Sequence, residues 1–457
     1  MSTGLRKDAL GLVHSVAIGV AGTAPSYSIA ASTAALVAAV GALAPASLLY
    51  CGLIMVGITF AFVYLNSVYP DSGASYAWVG RVLSRDLGFL TGWTVLVSSA
   101  LFMVSATLPA ATATLLLAAP ELAASKAHVV GVAACWLIVV SAVVVRGMHV
   151  TGVVQACMTA TEIAVLGGLT IAALWQFGPR LTENLSWAAF SPAAFTPESF
   201  AAGAVIALFF FWGWDVSLNV SEETRDSGRT PGRAASIAML VIILAFVTLA
   251  LVTLAVLSEP EIRDSGSNVL FAIAEKLVPR PWSYLAVIAV MLSSVGTLET
   301  SLLQFARTLF AKARAGEMHR RWSRIHVRWG TPHLANYLIL AVGLALLAFS
   351  LAFPDVEAIL KASINAIGLE IAFYYGLTAV ACAWQFRKAR SAPVFLLAVA
   401  WPLASAIALW TAAALAARAM DWTTLAIGAG GIAIGLVPMA WVRAQRKAGV
   451  RATPGHS

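Results

Sequence analysis

Apolar runs about twenty residues long recur twelve times along the chain, at roughly 13–40, 46–67, 88–118, 128–147, 150–177, 200–224, 234–257, 281–311, 333–353, 356–386, 392–416 and 422–442. Short polar segments separate them. A helix rising about 1.5 Å per residue needs a run of that length to cross the ~30 Å hydrocarbon core of a bilayer. The pattern predicts an all-α membrane protein of about twelve transmembrane helices. Two runs are interrupted. The first carries Gly19-Val20-Ala21-Gly22-Thr23-Ala24-Pro25, the second Phe211-Trp212-Gly213-Trp214-Asp215. Hydrocarbon offers no water to free backbone groups, so helices break at membrane depth only where those groups serve a cavity or a ligand. Paired breaks in matching positions of two halves point to the substrate site of a secondary transporter.

The halves follow from the count. With the first ten helices as two sets of five, residues 13–177 and 200–386, an odd number per half forces opposite orientations. Helix 1 then matches helix 6, and residues 392–442 are two additional helices in a single membrane domain. Between the runs, residues 67–88 predict a turn followed by an amphipathic stretch. Residues 258–280 contain an apolar segment, Val269 to Leu277, that reads as an external helix over the bundle. The polar segment before the first run lacks a cleavage pattern, so helix 1 is expected to be retained.

Composition sharpens this. The 457 residues are 60% hydrophobic and 11% charged, with mean hydropathy +0.85. A soluble domain carries about 25% charged residues. The net charge of +8 is a matter of topology. With both termini on one side, the loops of that side hold twenty-one of the 29 Lys and Arg, the opposite loops hold seven, and Arg307 falls inside a span. That asymmetry places both termini in the cytoplasm of a cell (inner) membrane and argues against nucleic acid as a partner. Cys51, Cys135, Cys157 and Cys382 all fall within apolar runs and read as small buried hydrophobes. No catalytic or metal-ligand spacing is present, which excludes an enzyme, and no cofactor is called for.

The breaks carry the candidate chemistry. Gly19, Gly22 and Pro25 are expected to unwind helix 1 and free the amides of Val20, Ala21, Gly22 and Thr23, which at a positive helix end suit a carboxylate. Packing of small residues between helices explains the same glycines. In helix 6, carbonyls freed around Gly213 suit an ammonium group, and Trp212 and Trp214 can wall the cavity. A carboxylate such as Asp215 costs about 2.5–3.5 kcal/mol at membrane depth unless paired or hydrated. Glu222 and Glu223 read as a gate or as partners of nearby arginines. Glu162, in mid-span of helix 5, is a candidate proton carrier, and Ser293 and Ser294 are candidates for an ion site. Glu299, Arg307 and Glu370 also lie within spans, the first two better suited to pairing with neighbouring helices than with substrate.

Four stretches together resemble the amino acid–polyamine–organocation superfamily. They are Ala17 to Pro25; Pro70 to Tyr76 after helix 2; Phe211 to Asp215 with Ser221-Glu222-Glu223-Thr224; and Ala306-Arg307-Thr308-Leu309-Phe310 running through Arg314-Ala315-Gly316-Glu317-Met318 to Gly330-Thr331-Pro332. The resemblance implies a LeuT-type fold, a 5+5 inverted repeat with two extra helices, and uptake or exchange of amino acids or related amines by alternating access. It implies that Gly19, Val20, Ala21, Gly22 and Thr23 bind the substrate carboxylate. It also implies that Phe209, Phe210, Phe211, Trp212 and Gly213 bind the amino group, with Trp214 as gate or wall and Asp215 beside them. Proton-coupled members with a lysine near the place of Glu162 differ here by a reversal of charge. Met318 replaces the usual proline. The expected partners are a small-molecule substrate, lipid, and H+ or Na+ as coupling ion. A polyamine or small-amine carrier is the alternative within transport. A non-transporting receptor is the alternative outside it, disfavoured because only about 15 residues follow the last span. The substrate's identity and the oligomeric state stay open at this level.

Overall fold

The computed structural model describes residues 4–184, 190–352 and 356–447. Among them secondary structure is helical apart from a single bridge between Leu10 and Thr224. In chain order the helices are α1 (Leu12–Thr23), α2 (Pro25–Val40), α3 (Ala44–Val68), α4 (Ser75–Val82), α5 (Arg85–Ala118), α6 (Lys126–Val145), α7 (Met148–Asn184), α8 (Pro197–Phe210) and α9 (Val216–Asn219). They continue with α10 (Thr230–Val256), α11 (Glu259–Ser265), α12 (Val269–Leu277), α13 (Tyr284–Arg314), α14 (His333–Ser350), α15 (Val356–Phe386), α16 (Ala392–Phe395), α17 (Trp401–Ala419), α18 (Trp422–Ile434) and α19 (Leu436–Lys447). Ten stretches are long and apolar enough to cross a membrane. One of them, Leu12–Val68, contains both the break at Ala24 and the turn at Gly41–Leu43. Neither α8 nor α9 reaches spanning length on its own.

Local chemistry sets the ends. Thr196 and Ser199 form a capping box at the start of α8, and Ser258 and Glu261 form one at the start of α11. Asp421 caps α18 by accepting from the Thr424 amide at 2.9 Å. Between α16 and α17 the chain makes a π-helical turn, Leu396–Ala400, just before Pro402, which can donate no ladder bond. The external helix expected over Val269 to Leu277 is α12, and the amphipathic stretch expected in 67–88 is α4.

The apolar windows of α13 and of Ala362–Phe386 are 72% buried, against 17% for Trp422–Arg446. The first two therefore form the centre of the bundle and the last span its periphery. Ile171, Trp175, Leu240, Leu244, Trp384, Trp422, Val437 and Trp441 point outward. A soluble protein seldom exposes so much apolar surface; here it is the lipid-facing skin. Two of the four cysteines depart from expectation. Cys51 and Cys382 are buried, whereas Cys135 and Cys157 lie on outer faces, where a bilayer accepts a thiol as readily as a core does.

Candidate functional site

The two breaks meet. Gly213 sits at φ +101°, the left-handed region open to glycine, and its backbone lies directly against that of Gly22. A Cβ at either residue would overlap the other's carbonyl oxygen. Gly19 is close in the same way, since a Cβ there would come within 2.9 Å of the Ala238 Cβ. Gly19 and Gly22 let helices touch; they do not unwind α1.

The structure therefore corrects one expectation. α1 stays helical through Thr23, so the amides of Val20, Ala21, Gly22 and Thr23 lie inside its hydrogen-bonded ladder and are not free. The break falls at Ala24, in the left-handed region at φ 46°, and Pro25 opens a new helix at its first position. Proline fits there because that position needs no N–H. The amides left over are the next two. Ser26 N donates to Glu162 Oε1 at 2.7 Å, and Tyr27 N donates to Ser293 Oγ at 3.2 Å. Two candidates from distant helices thus converge on the start of α2. Ser294 does not join them; its hydroxyl donates to Val290 O within its own helix. Thr297 donates to Gly22 O at 2.8 Å, tying α13 to α1.

The second break lies where the sequence placed it, from Phe211 to Asp215. No hydrogen bond among the described residues reaches the carbonyls of Phe210, Phe211 or Trp212. Asp215 is 1% exposed and faces no cation. Its carboxylate accepts from Tyr375 OH at 2.8 Å and Gln304 Nε2 at 2.9 Å, with Tyr374 OH at 3.4 Å. Trp212 Nε1 donates to Tyr374 OH at 2.7 Å, and the Trp214 ring packs edge-on to Phe62. Phe210 and Phe211 are buried against Phe246. Asp215, Trp212 and Trp214 thus belong to an interior aromatic cluster between helices, because Tyr374 and Tyr375 supply donors that the sequence pattern could not place beside them.

A cavity of ≈ 840 Å³ comes down to these breaks from the end of the bundle that carries Pro120, Ala123 and Gly266. Its walls are mainly apolar, among them Ile206, Val287, Val290 and Ile364, with Ser32, Thr112, Asn268 and Asn365 as polar points and no charged side chain among the described residues. Tyr27 and Phe209 line it next to the breaks, their rings 6.2 Å apart and edge to face. Of the residues singled out in helix 6, only Phe209 reaches this cavity.

The opposite end is latched. Arg307 and Glu223 form a fully buried pair, with Nε and Nη2 donating at 3.0 and 3.2 Å. Arg314 donates to Glu222 at 2.7 and 2.8 Å and to Asp71 at 3.2 Å, and Glu222 also accepts from the Ser72 amide. The chain before α1 joins in, as Ala9 and Leu10 donate to Glu223 O and Arg225 N donates to Leu10 O. Lys312 is buried beside Glu317, which also pairs with Arg446. Of the other ionisable groups within spans, Glu299 faces Gln155, whose amide nitrogen lies 3.0 Å from it once turned to satisfy both groups. Glu370 is buried against Gly431 with neither oxygen hydrogen-bonded. No cluster of three His, Cys, Asp or Glu side chains able to hold a metal occurs among the described residues.

A profile described as amino acid permease matches residues 8–440. The chain belongs to the amino acid permease family. The superfamily resemblance seen in its four motifs holds. Curated relatives agree. The serine/threonine exchanger SteT of Bacillus subtilis is 22% identical over 301 residues, 65% of this chain and 66% of that protein. An uncharacterized transporter of Mycobacterium tuberculosis is 26% identical over 319 residues, 67% and 68% of the two chains. The permease spans about two thirds of the length of these relatives. It is a multi-pass membrane transporter of amino acids or similar small molecules, and not an enzyme.

Proposed function

We propose that the permease carries an amino acid across the cell membrane by alternating access, as proton-coupled uptake or as exchange. The observation that carries this reading is the asymmetry around the breaks: an open apolar cavity ends at Tyr27 and Phe209 on one side, and an ion-paired latch closes the other. Counting Leu12–Val68 as two crossings and the α8–α9 segment as one gives twelve spans, with the first ten as an inverted 5+5 repeat. The positive-inside asymmetry puts the termini and latch in the cytoplasm, so the cavity faces outward.

In this reading the substrate's carboxylate is drawn to the start of α2, at the Ser26 and Tyr27 amides, one turn beyond the Val20–Thr23 segment the sequence suggested. Its ammonium group meets the carbonyls of Phe210 to Trp212, and its side chain rests against Phe209 and the cavity wall. Glu162 is the proton carrier, because among the described residues it is the buried carboxyl that accepts from a freed amide at the start of α2. A sodium ion would need oxygen ligands from several groups, and the Ser294 hydroxyl is instead engaged with Val290 O of its own helix. The exchanger among the relatives moves serine and threonine; the apolar cavity of this permease favours a less polar side chain. The test is uptake of a radiolabelled panel of amino acids and amines by proteoliposomes under imposed proton or sodium gradients. Accumulation of at least one amino acid, driven by an inward proton gradient or by internal substrate, is expected; no amino acid transported under any gradient overturns the reading.

A further inference from the structure

The permease holds an anion of its own where the substrate's anion is expected. α2 is a 16-residue helix that opens at the break, and both of its freed amides are occupied, one of them by the Glu162 carboxyl. Beside them the Ser26 hydroxyl is 0% exposed and has no hydrogen-bond partner. A positive helix end with a spare buried donor is an anion slot. Glu162 fills it from α7, and the cavity stops at Tyr27, the next residue along.

We propose that Glu162 is a tethered competitor: its carboxylate occupies the slot in the empty permease, and a substrate carboxylate takes its place only as a proton neutralises Glu162. This rests on the amino acid reading above and adds how that slot is controlled. One proton adds to a Glu162 oxygen. The Ser26 amide's hydrogen bond passes from Glu162 to the incoming carboxylate, and the Ser26 hydroxyl supplies a second donor. Two carboxylates cannot share these donors away from water, because one of the charges would be left unpaired. Proton and substrate therefore bind as a unit, and the proton leaves with the substrate.

The surroundings isolate this exchange. Among the described residues, Ser26 from α2 and Ser293 from α13 are the groups that act on Glu162. On the elements packed against α7, Tyr27 donates to Ser105 O, Glu299 faces Gln155, and Arg307 is held by Glu223. His14 of α1 lies at Gly152, well before Glu162 on α7, and Lys276 of α12 pairs with Glu261. Arg233 is at the start of α10, and Lys126 and His128 are at the start of α6.

The experiment measures equilibrium binding to the purified full-length permease in detergent across about pH 5 to 9, using the common amino acids and their decarboxylated amines as probes. For an amino acid that binds, the wild-type apparent Kd is expected to rise about tenfold per pH unit on the alkaline side, as one linked proton requires. Glu162→Gln is expected to bind the same amino acid with a pH-independent Kd near the wild-type low-pH value. The matching amine is expected to ignore both pH and the substitution. A wild-type Kd for the amino acid that does not change with pH makes Glu162 a fixed helix cap and overturns the proposal, while leaving the amino acid reading intact. Amines binding where no amino acid does overturns the amino acid reading itself. The wild-type pH series decides the matter even if the variant fails to fold.

Discussion

The two ends of the permease are built in opposite ways. At the latched end, charged side chains from three separated stretches of chain are drawn together, and the central pair, Arg307 with Glu223, is sealed from water. At the cavity end the walls are apolar, and the nearby ion pairs, Lys276 with Glu261 and Arg280 with Glu275, tie the external segment to itself rather than across the opening. The difference lies in desolvation. A buried pair must stay paired, because parting it strands a charge, whereas apolar walls have no fixed partner and gain by burying their area against whatever fills the space between them. The permease therefore closes one end with charge and leaves the other to its substrate.

The sharpest way to break this comparison is Arg307→Ala. It leaves Glu223 buried without its cation and is expected to cost about 3–5 kcal/mol, read as a large fall in the thermal unfolding midpoint in detergent. Arg314→Ala removes a side chain that is 43% exposed and is expected to cost no more than about 1 kcal/mol. Equal losses would show that burial does not distinguish the two pairs. Next in size is Gly22→Ala. Because its Cβ would overlap the Gly213 carbonyl, overpacking of about 1–3 kcal/mol is expected, together with loss of transport. A variant with normal stability and transport would mean that the two breaks need not touch. The smallest effect belongs to the cavity end. Lys276, with the Ser258 amide, holds the Glu261 carboxyl down at about 2 from an ordinary 4.5. A depressed carboxylate contributes stability that is present above the ordinary value and fades as pH falls toward 2. Glu261→Gln should therefore remove a small stabilisation that is present at neutral pH and flatten its loss toward acid. Because the pair ties the external segment to itself, transport at neutral pH is expected to be unchanged, and a strong effect there would assign this segment a part in gating.

Much of the fold is legible because the bilayer imposes it. The predicted runs and the observed helices agree to within a few residues at most ends, as with 356–386 and α15, or 13–40 and α1 with α2. The second break is legible because Gly213 between two tryptophans has no helical rationale. The first was misplaced because glycine has two uses in membrane helices, and only the Gly213 backbone beside Gly22 shows which applies. A stricter use of proline's preference for the first helical position would have pointed to the amides of Ser26 and Tyr27. The surroundings of Asp215 were not legible, since Tyr374, Tyr375 and Gln304 come from helices 89 to 160 residues away.

The sequence by itself determined the class of molecule, the spans, the sites of weakness in two of them, and the family, because length, hydropathy and local turn chemistry act along the chain. Only the tertiary structure decided which partner each polar group has. Glu162 became the anion at the start of α2, Glu223 became half of a buried latch, and Asp215 became part of an interior cluster, because hydrogen bonds and desolvation depend on what lies within about 3 Å in space. No spacing along the chain contains that information.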